Sequence, residues 1–371
     1  MSTYGFISLG LIGGSMARAI REKQPDATII AYNRSPESLE EALADGVVNI
    51  AVYQESIEKN DFSAFSDCDY IFLCAPVQKN EEFMEKLIPV IGKKCILTDV
   101  GSVKTGIHKC AERLGITSQF IGGHPMAGSE RVGYTNSKAS LLQNAYYILT
   151  PTEDVPKNRI EEYRDLVLSM GAIALVISYE QHDYAVAAIS HLPHVIAASL
   201  VNLVRDSDYE EGLMKMIAAG GFKDITRIAS SSANMWQQIC LTNTDNIRSL
   251  LHDYMESLQK IDGQLESKSG EDIFNLFDSA RIYRDSFNVA GSGPIKISYS
   301  VTVDIKDEAG ALATIVNMLA DNQISIKNIG ILHSREYQGG DLKLEFWHEE
   351  DLAIACKLLE DRNYTIHKKK V

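Results

Sequence analysis

The chain has 371 residues, 45 % of them apolar, and a formal charge of −14. That length accommodates two or three domains with ordinary globular cores. The acidic balance excludes a nucleic-acid binder, which needs a basic face for phosphates. It also requires any site for an anionic substrate to gather a few cations locally. Six cysteines, at 68, 74, 95, 110, 240 and 356, include no Cys-x-x-Cys pair. They read as reduced, buried small hydrophobes of a cytoplasmic protein. No basic segment followed by an apolar run opens the sequence, so no secretory leader is expected.

The first element is a strand at Tyr4–Leu9. It runs into Gly10-Leu11-Ile12-Gly13-Gly14-Ser15 and an apolar helix. Small residues let backbone approach a pyrophosphate, and the helix end offers N–H groups and a positive dipole. Gly10, Leu11, Ile12 and Gly13 are therefore the expected cofactor-binding residues. Ser8 stands where the G-x-G-x-x-G fingerprint has its first Gly. Thr28–Tyr32 is a second strand, and Pro36–Asp45 a helix ending near Gly46. An NAD site usually places Asp or Glu on the ribose at the end of that strand. Asn33 and Arg34 stand there instead. Asn33 still bonds a ribose hydroxyl and does not repel a 2′-phosphate. Arg34 pairs with such a phosphate, stacks on adenine or points to solvent. NAD is expected, with NADP not excluded.

Tyr70–Cys74 is a strand, followed by a helix over 79–91. Cys95–Thr98 is a strand, followed by a helix at Lys104–Leu114. Ala145–Leu149 and Ala172–Ile177 are later strands, with a helix at Arg159–Met170 between them. The alternation predicts a Rossmann-like, doubly wound parallel sheet over residues 1–177. Ligands bind such sheets at the carboxyl edge of the strands. Ser102, in Asp99-Val100-Gly101-Ser102-Val103-Lys104, lies at that edge. It suits a helix N-cap or a catalytic hydroxyl, and the two roles are compatible. His124 sits in Gly122-Gly123-His124-Pro125-Met126-Ala127-Gly128-Ser129, which reads as a rigid turn. Small neighbours leave room there for a ligand. Imidazole, with a pKa near about 6.5, is suited to take a proton near neutrality.

Residues 178–288 lose strand signals and read as an all-helical substrate and dimerisation domain. Ala185–Val204 has no Asp, Glu, Lys or Arg. Its histidines, proline and serines favour a buried helical pair over a membrane span. Ser190, His191 and His194 are candidate ligand contacts. Without a Cys or carboxylate cluster at ligand spacing, no metal is expected. Lys223, Arg227 and Trp236 lie in the next Gly- and Ser-rich stretch. Arg227 suits bidentate carboxylate binding, or an ion pair with Asp224. A stripe at Leu250, Leu251, Tyr254, Leu258, Ile261 and Leu265 implies core or dimer packing. Asn288–Pro294 reads as a linker. Residues 295–371 then follow a β-α-β-β-α-β, ferredoxin-like rhythm. Its elements are a strand at Lys296–Asp304, a helix at Ala311–Asp321 and a strand at Ile324–His333. A Gly339-Gly340 turn, a strand at Leu342–Trp347, a helix at Asp351–Leu359 and a strand at Tyr364–His367 complete it.

In this order, five runs resemble the prephenate dehydrogenases. They are Gly10–Ser15, Asp99–Lys104, Gly123–Gly128, Ser190–His194, and Gly220-Gly221-Phe222-Lys223-Asp224 through Arg227 to Trp236. Asp307-Glu308-Ala309-Gly310-Ala311-Leu312 is similar to an ACT-domain turn. The resemblance implies oxidative decarboxylation of prephenate to 4-hydroxyphenylpyruvate with hydride transfer to NAD(P)+. It implies that His124 contacts the ring hydroxyl, Ser102 helps orient it, Arg227 holds a substrate carboxylate, and His194 lines the pocket. Ser190, His191, Lys223 and Trp236 complete the expected substrate-binding set. L-tyrosine is the expected inhibitor at the ACT domain, and the enzyme is expected as a cytoplasmic homodimer. Alternatives are arogenate oxidation, a 3-hydroxyacid dehydrogenase using Lys223, or a non-catalytic nucleotide sensor.

Overall fold

The computed structural model describes residues 2–128, 131–290, 299–306, 308–335 and 338–368. The chain divides into two compact units, residues 1–268 and 269–371.

Unit one begins with β1 (Thr3–Ile7), α1 (Leu11–Lys23), β2 (Thr28–Tyr32) and α2 (Pro36–Ala44). Next come β3 (Ile50–Val52), α3 (Gln54–Glu58), β4 (Tyr70–Leu73), α4 (Val77–Leu87), β5 (Ile96–Asp99) and α5 (Thr105–Arg113). Among the described residues these strands form a five-stranded sheet in the order β3-β2-β1-β4-β5. All four pairings are parallel. Both faces are buried, so the strands are rich in apolar side chains that alternate between two cores. Phe6 and Phe72 pack on one side with Met16, Ala17 and Ile20 of α1. Ile7, Ile71 and Leu73 pack on the other with Leu97 and Ile107.

The chain continues through β6 (Ile121–Pro125), β7 (Tyr146–Pro151), α6 (Lys157–Ser169) and β8 (Ile173–Val176). The 121–125 segment, read from sequence as a turn, is a strand. It pairs antiparallel with β7, which pairs parallel with β8. A single parallel bridge, Leu97 to Phe120, connects β5 to the approach of β6. Two glycines and a proline disguise β6, because none favours a strand. Their smallness serves packing rather than leaving room for a ligand. A Cβ on Gly123 would lie 2.6 Å from the Asp99 carbonyl oxygen. One on Gly122 would lie 2.3 Å from Thr150 Oγ1.

The helical part holds α7 (Tyr179–Val186), a π-helical turn at Ala187–His191, and α8 (Leu192–Ser207). Then follow α9 (Leu213–Ile217), α10 (Gly220–Thr226), a 3₁₀ turn at Arg227–Ser230, α11 (Ala233–Thr242) and α12 (Thr244–Glu266). Pro193 explains the π turn. It has no N–H to continue the preceding ladder, and the helix absorbs the break by widening. By length and composition the Tyr179–Ser207 run could cross a membrane. It carries Asp183 and His191, both buried and hydrogen-bonded within the protein. The stripe on α12 is not core within one chain. Leu258 and Leu265 are exposed, and Ile247 is the buried residue of that helix.

Unit two starts with α13 (Gly270–Ala290), so the expected linker is helical over its first three residues. Its remainder, with Asp307 of the ACT-like turn, lies outside the described residues. β9 (Tyr299–Ile305), α14 (Ala311–Asp321), β10 (Ile326–Arg335), β11 (Gln338–Phe346), α15 (Glu349–Asp361) and β12 (Ile366–Lys368) follow. The sheet order β10-β11-β9-β12 is ferredoxin-like and antiparallel. Gly339 and Gly340 lie inside β11 rather than at the turn. Val301, Val303, Leu342, Leu344 and Phe346 alternate onto one face, covered by Ile315 and Leu319 of α14 and Leu359 of α15.

Gly123→Ala tests the close approach of β6 to β5. We expect a loss of about 1–3 kcal/mol, the usual scale of overpacking, seen as a lowered unfolding midpoint. Gly128→Ala, with nothing within 4 Å of the added Cβ, is the control. Equal midpoints for Gly123→Ala and parent would reject the packing.

Candidate active site

The glycine turn is built as a phosphate site. The N-cap of α1 is Gly10, and no side chain caps the helix. The first-turn N–H groups thus point outward without a side-chain partner, as an anion requires. Nothing lies within 4 Å of a Cβ built on Gly10, whereas one on Gly13 would lie 2.8 Å from the Ser8 carbonyl oxygen. Gly10 therefore leaves open space, and Gly13 lets helix and strand close together. Ser8 adopts φ +74°. It supplies the left-handed turn that the fingerprint assigns to Gly. Its N–H bonds the Tyr32 carbonyl at 2.8 Å.

Asn33 braces the same turn. Its Oδ1 accepts from the Leu9 N–H at 3.1 Å and the Ser8 hydroxyl at 3.5 Å. Its Nδ2 donates to the Ser35 carbonyl at 3.2 Å. Arg34 is exposed beyond it. The Ser35 hydroxyl donates to Glu37 at 2.5 Å, which brings a carboxylate to this end of β2.

His124 projects from β6 and is part-buried. Beneath it lies an ion pair with no solvent exposure, Lys104 to Asp99. Lys104 Nζ also donates to the Gly123 carbonyl at 2.8 Å, and the Gly123 N–H donates to Asp99 Oδ1 at 3.2 Å. This pair fixes the backbone immediately before His124 against the end of β5. Burial lowers the Lys104 pKa, opposed by Asp99.

Sequence reasoning missed His182 and Asp183. His182 Nε2 lies 2.8 Å from His124 Nδ1. His182 Nδ1 lies 2.8 Å from Asp183 Oδ1. Asp183 caps α5 as well. It accepts the Lys104 and Thr105 N–H groups at 2.8 Å each and the Thr105 hydroxyl at 2.6 Å. Burial pushes its pKa up, but these donors and His182 outweigh that and leave it below the usual carboxylate value. Ser102 is therefore not the cap. The N-cap of α5 is Lys104, and Ser102 sits half-buried in the preceding loop. No hydrogen bond among the described residues joins Ser102 to His124. The signal for His182 and Asp183 was the His-Asp pair one turn into a helix opened by a Ser178–Gln181 capping box.

The other imidazoles extend the row. His191 is buried, accepts from Asn243 Nδ2 at 3.2 Å, and meets Trp236 edge-on at 6.0 Å. The same indole stacks on His194, with ring centroids 3.7 Å apart. Trp236 Nε1 is buried without a hydrogen-bond partner among the described residues. His194 Nδ1 donates to the Ser190 carbonyl at 2.8 Å, so Ser190 serves the site through its backbone. Arg227 opens the 3₁₀ turn that packs on α8 and is close enough to hold down the His194 pKa, after burial. Lys223 is exposed on α10, and no hydrogen bond among the described residues ties it to this row. A cavity of about 360 Å³ opens beside the stack, lined by His194, Val195, Ile228, Trp236 and Cys240.

Burial, with His182, Lys104 and His191, holds the His124 pKa well below the ordinary imidazole value. The His191 pKa is pushed down to about 4, chiefly by burial. These rings are neutral near pH 7. The row thus offers neutral bases at one end and a guanidinium at the other. Among the described residues no group of three or more His, Cys, Asp or Glu could hold a metal ion.

Known proteins resemble this chain over most of its length. Residues 16–176 match the family model described as prephenate dehydrogenase, nucleotide-binding domain, and residues 178–279 match its dimerization domain. A prephenate dehydrogenase of Bacillus subtilis is 36 % identical over 356 residues, covering 95 % of this chain and 94 % of that protein. One of Lactococcus lactis is 31 % identical, covering 95 % and 96 %. A crystal structure of prephenate dehydrogenase from Aquifex aeolicus, in complex with hydroxyphenyl propionate and NAD+, superposes with TM-score 0.71. It is 30 % identical and covers 77 % of this chain and 98 % of that one. The five runs that suggested the family, the sheet and helices that carry them and these relatives agree: the chain belongs to the prephenate dehydrogenases.

Proposed function

We propose that this protein oxidatively decarboxylates prephenate to 4-hydroxyphenylpyruvate, with His124 as the base and Arg227 as the carboxylate clamp. The observation that carries the reading is a part-buried imidazole, His124, held at 2.8 Å by His182 on the nucleotide-binding half of a prephenate dehydrogenase chain. Gly10, Leu11, Ile12 and Gly13 are suited to hold the pyrophosphate of NAD. Bound NAD+ supplies the hydride acceptor. Arg34 is the residue suited to meet a 2′-phosphate, while Glu37 beside Ser35 disfavours one.

His124 accepts the proton of the ring hydroxyl as that carbon is oxidised. Ser102 orients the hydroxyl from the loop before α5. Arg227 pairs with one substrate carboxylate. His194, stacked on Trp236, forms the wall, and the orphan indole N–H is a donor available to an anion. His191 lends shape to that wall, Ser190 anchors His194, and Lys223 adds positive charge to an otherwise acidic chain. Loss of carbon dioxide makes the ring aromatic, so the decarboxylation needs no further catalyst.

Unexposed residues are few on α12, and Leu203, Met216, Ile217, Leu241, Leu258 and Leu265 are exposed. Such surface is suited to a second copy of the chain, and we read the enzyme as a cytoplasmic homodimer. Three domains, 1–177, 178–288 and 295–371, then divide nucleotide binding, substrate binding with dimerisation, and regulation. The ferredoxin-like tail serves as an ACT domain that binds L-tyrosine. A cavity of about 570 Å³ there is lined by Asp304, Lys306, Glu308, Gly310, Thr314 and Arg362. Two carboxylates and two cations together match the ammonium and carboxylate of a free amino acid.

With prephenate and NAD+, reduced-nicotinamide absorbance should grow. For His124→Asn we expect turnover to fall roughly 10²-fold or more with nucleotide affinity kept. A base with a lowered pKa stays neutral through pH 7 and is lost only as pH drops through that pKa. The acid limb of kcat/KM should therefore lie below about 6.5. An Asn variant with parental turnover removes His124 from the chemistry.

Arg227→Ala should raise KM for prephenate by the equivalent of about 1.5–3 kcal/mol and leave that for NAD+ little changed. Parental KM for both would eliminate the clamp.

Arg362→Ala should raise the tyrosine concentration for half-inhibition about tenfold, roughly 1.4 kcal/mol, without altering uninhibited turnover. An unshifted tyrosine response would place the effector elsewhere.

A further inference from the structure

We propose that His182 and Asp183 are positioning residues that hold His124 in the tautomer carrying its proton on Nδ1, so that Nε2 is the basic atom. The inference rests on the reading of His124 as the base. It follows from what each atom is able to donate. Asp183 is a saturated acceptor: two backbone N–H groups, the Thr105 hydroxyl and His182 Nδ1 converge on its two oxygens. A carboxylate only accepts, so the proton between it and His182 sits on His182 Nδ1. With its proton on Nδ1, the imidazole of His182 presents a lone pair at Nε2. The 2.8 Å contact from there to His124 Nδ1 needs one proton, and His124 supplies it. The rings meet edge-on, with centroids 5.0 Å apart and planes at 69°.

The proton count closes through the reaction. The substrate hydroxyl proton moves to His124 Nε2, making an imidazolium with both nitrogens protonated. Its Nδ1–H bond to His182 then becomes charge-assisted, and Asp183 balances the charge through His182 without itself being protonated. This matters because the other charged group facing His124 is unhelpful. Lys104 opposes an imidazolium, as does a protonated His191. Asp99, the other buried carboxylate at this end of the sheet, is already paired with Lys104. Asp183 is thus the counter-charge that reaches His124 through a ring.

The same carboxylate caps α5, so removing it would confuse helix stability with catalysis. His182 is the clean place to test. The Asn amide superposes on the Nδ1 side of imidazole and the Gln amide on the Nε2 side. His182→Asn keeps a donor for Asp183 but loses the acceptor for His124. His182→Gln places an amide oxygen where His182 Nε2 was. We expect His182→Asn to lower kcat about 10–100-fold, the usual scale for such supporting partners, with KM for prephenate nearly unchanged. His182→Gln should recover most of that loss. In ¹⁵N-histidine spectra of the parent at neutral pH, His124 should show a protonated Nδ1 and a bare Nε2. Loss of that pattern is expected in His182→Asn.

A protonated Nε2 on His124 in the parent would overturn the proposal, as would parental kcat in His182→Asn. If His182→Asn fails to fold, the parent spectrum and His182→Gln still decide. Parental kcat in His182→Asn beside a crippled His124→Asn defeats only the relay. Parental kcat in both defeats the reading of His124 itself.

Discussion

Asp183 is the constraint on which the site depends. A carboxylate removed from water loses several kcal/mol of hydration unless donors replace it. Here four donors do so, two of them the first N–H groups of α5 and its approach. The arrangement answers two needs at once. A helix end left without a side-chain cap finds its acceptor, and a buried acid finds its donors. Because Asp183 lies on α7 and its partners precede and open α5, the contact fastens the helical part to the nucleotide-binding sheet. Asn243 extends the tie by donating to the Asp183 carbonyl at 2.8 Å while bonding His191. The sheet and the helical part are therefore joined by groups that also touch the row of imidazoles.

Much of this was legible in the sequence. Parallel strands buried on both faces advertise themselves as short apolar runs, and β1, β2, β4 and β5 read clearly. The ferredoxin-like tail was equally plain from its alternation. What escaped notice shares a physical cause, namely dependence on distant partners. β6 is a strand because Gly122 and Gly123 fit against Thr150 and Asp99, and no local propensity announces that. Gly339 and Gly340 suggested a turn for the same reason and lie inside β11. His182-Asp183 is an unremarkable dipeptide until α5 and β6 are folded around it. Conversely, Asn33 was noticed for the right position, but its side chain braces the Ser8 turn. Local chemistry named the atom group, and the tertiary contact adds a use that the sequence did not show.

The π turn deserves a physical account because it sets the spacing of the wall. An α-helix places residues three and four apart on one face. His191 and His194 are three apart in Ser190-His191-Leu192-Pro193-His194, so both turn to the side where Trp236 lies. The Ser190 carbonyl, at the end of the widened turn, takes the His194 Nδ1 proton. His194 then lies flat on Trp236, while His191 approaches that ring from its edge. One indole thereby orients two imidazoles. The arrangement leaves its own N–H without a partner, a debt of about 1–3 kcal/mol that a bound anion is able to cancel. An unmet donor inside a family-defining motif is better explained by a ligand than by folding.

Crowding imidazoles also limits how many protons the site holds. Each ring raises the cost of charging its neighbour, and burial adds to it, so His191 is pushed down to about 4 and His124 lies low as well. On the proposed reading of His124 as the base, so depressed a group is weak, and its weakness is useful only if the charge it acquires is stabilised at the moment of transfer. In water that stabilisation would come from solvent. Here water is replaced by a fixed line of groups ending at a saturated carboxylate. His124 is thus kept neutral in the resting enzyme by the same burial that makes its bond to His182 strong when charged. Resting neutrality and transition-state charging are reconciled by geometry rather than by an intrinsically stronger base.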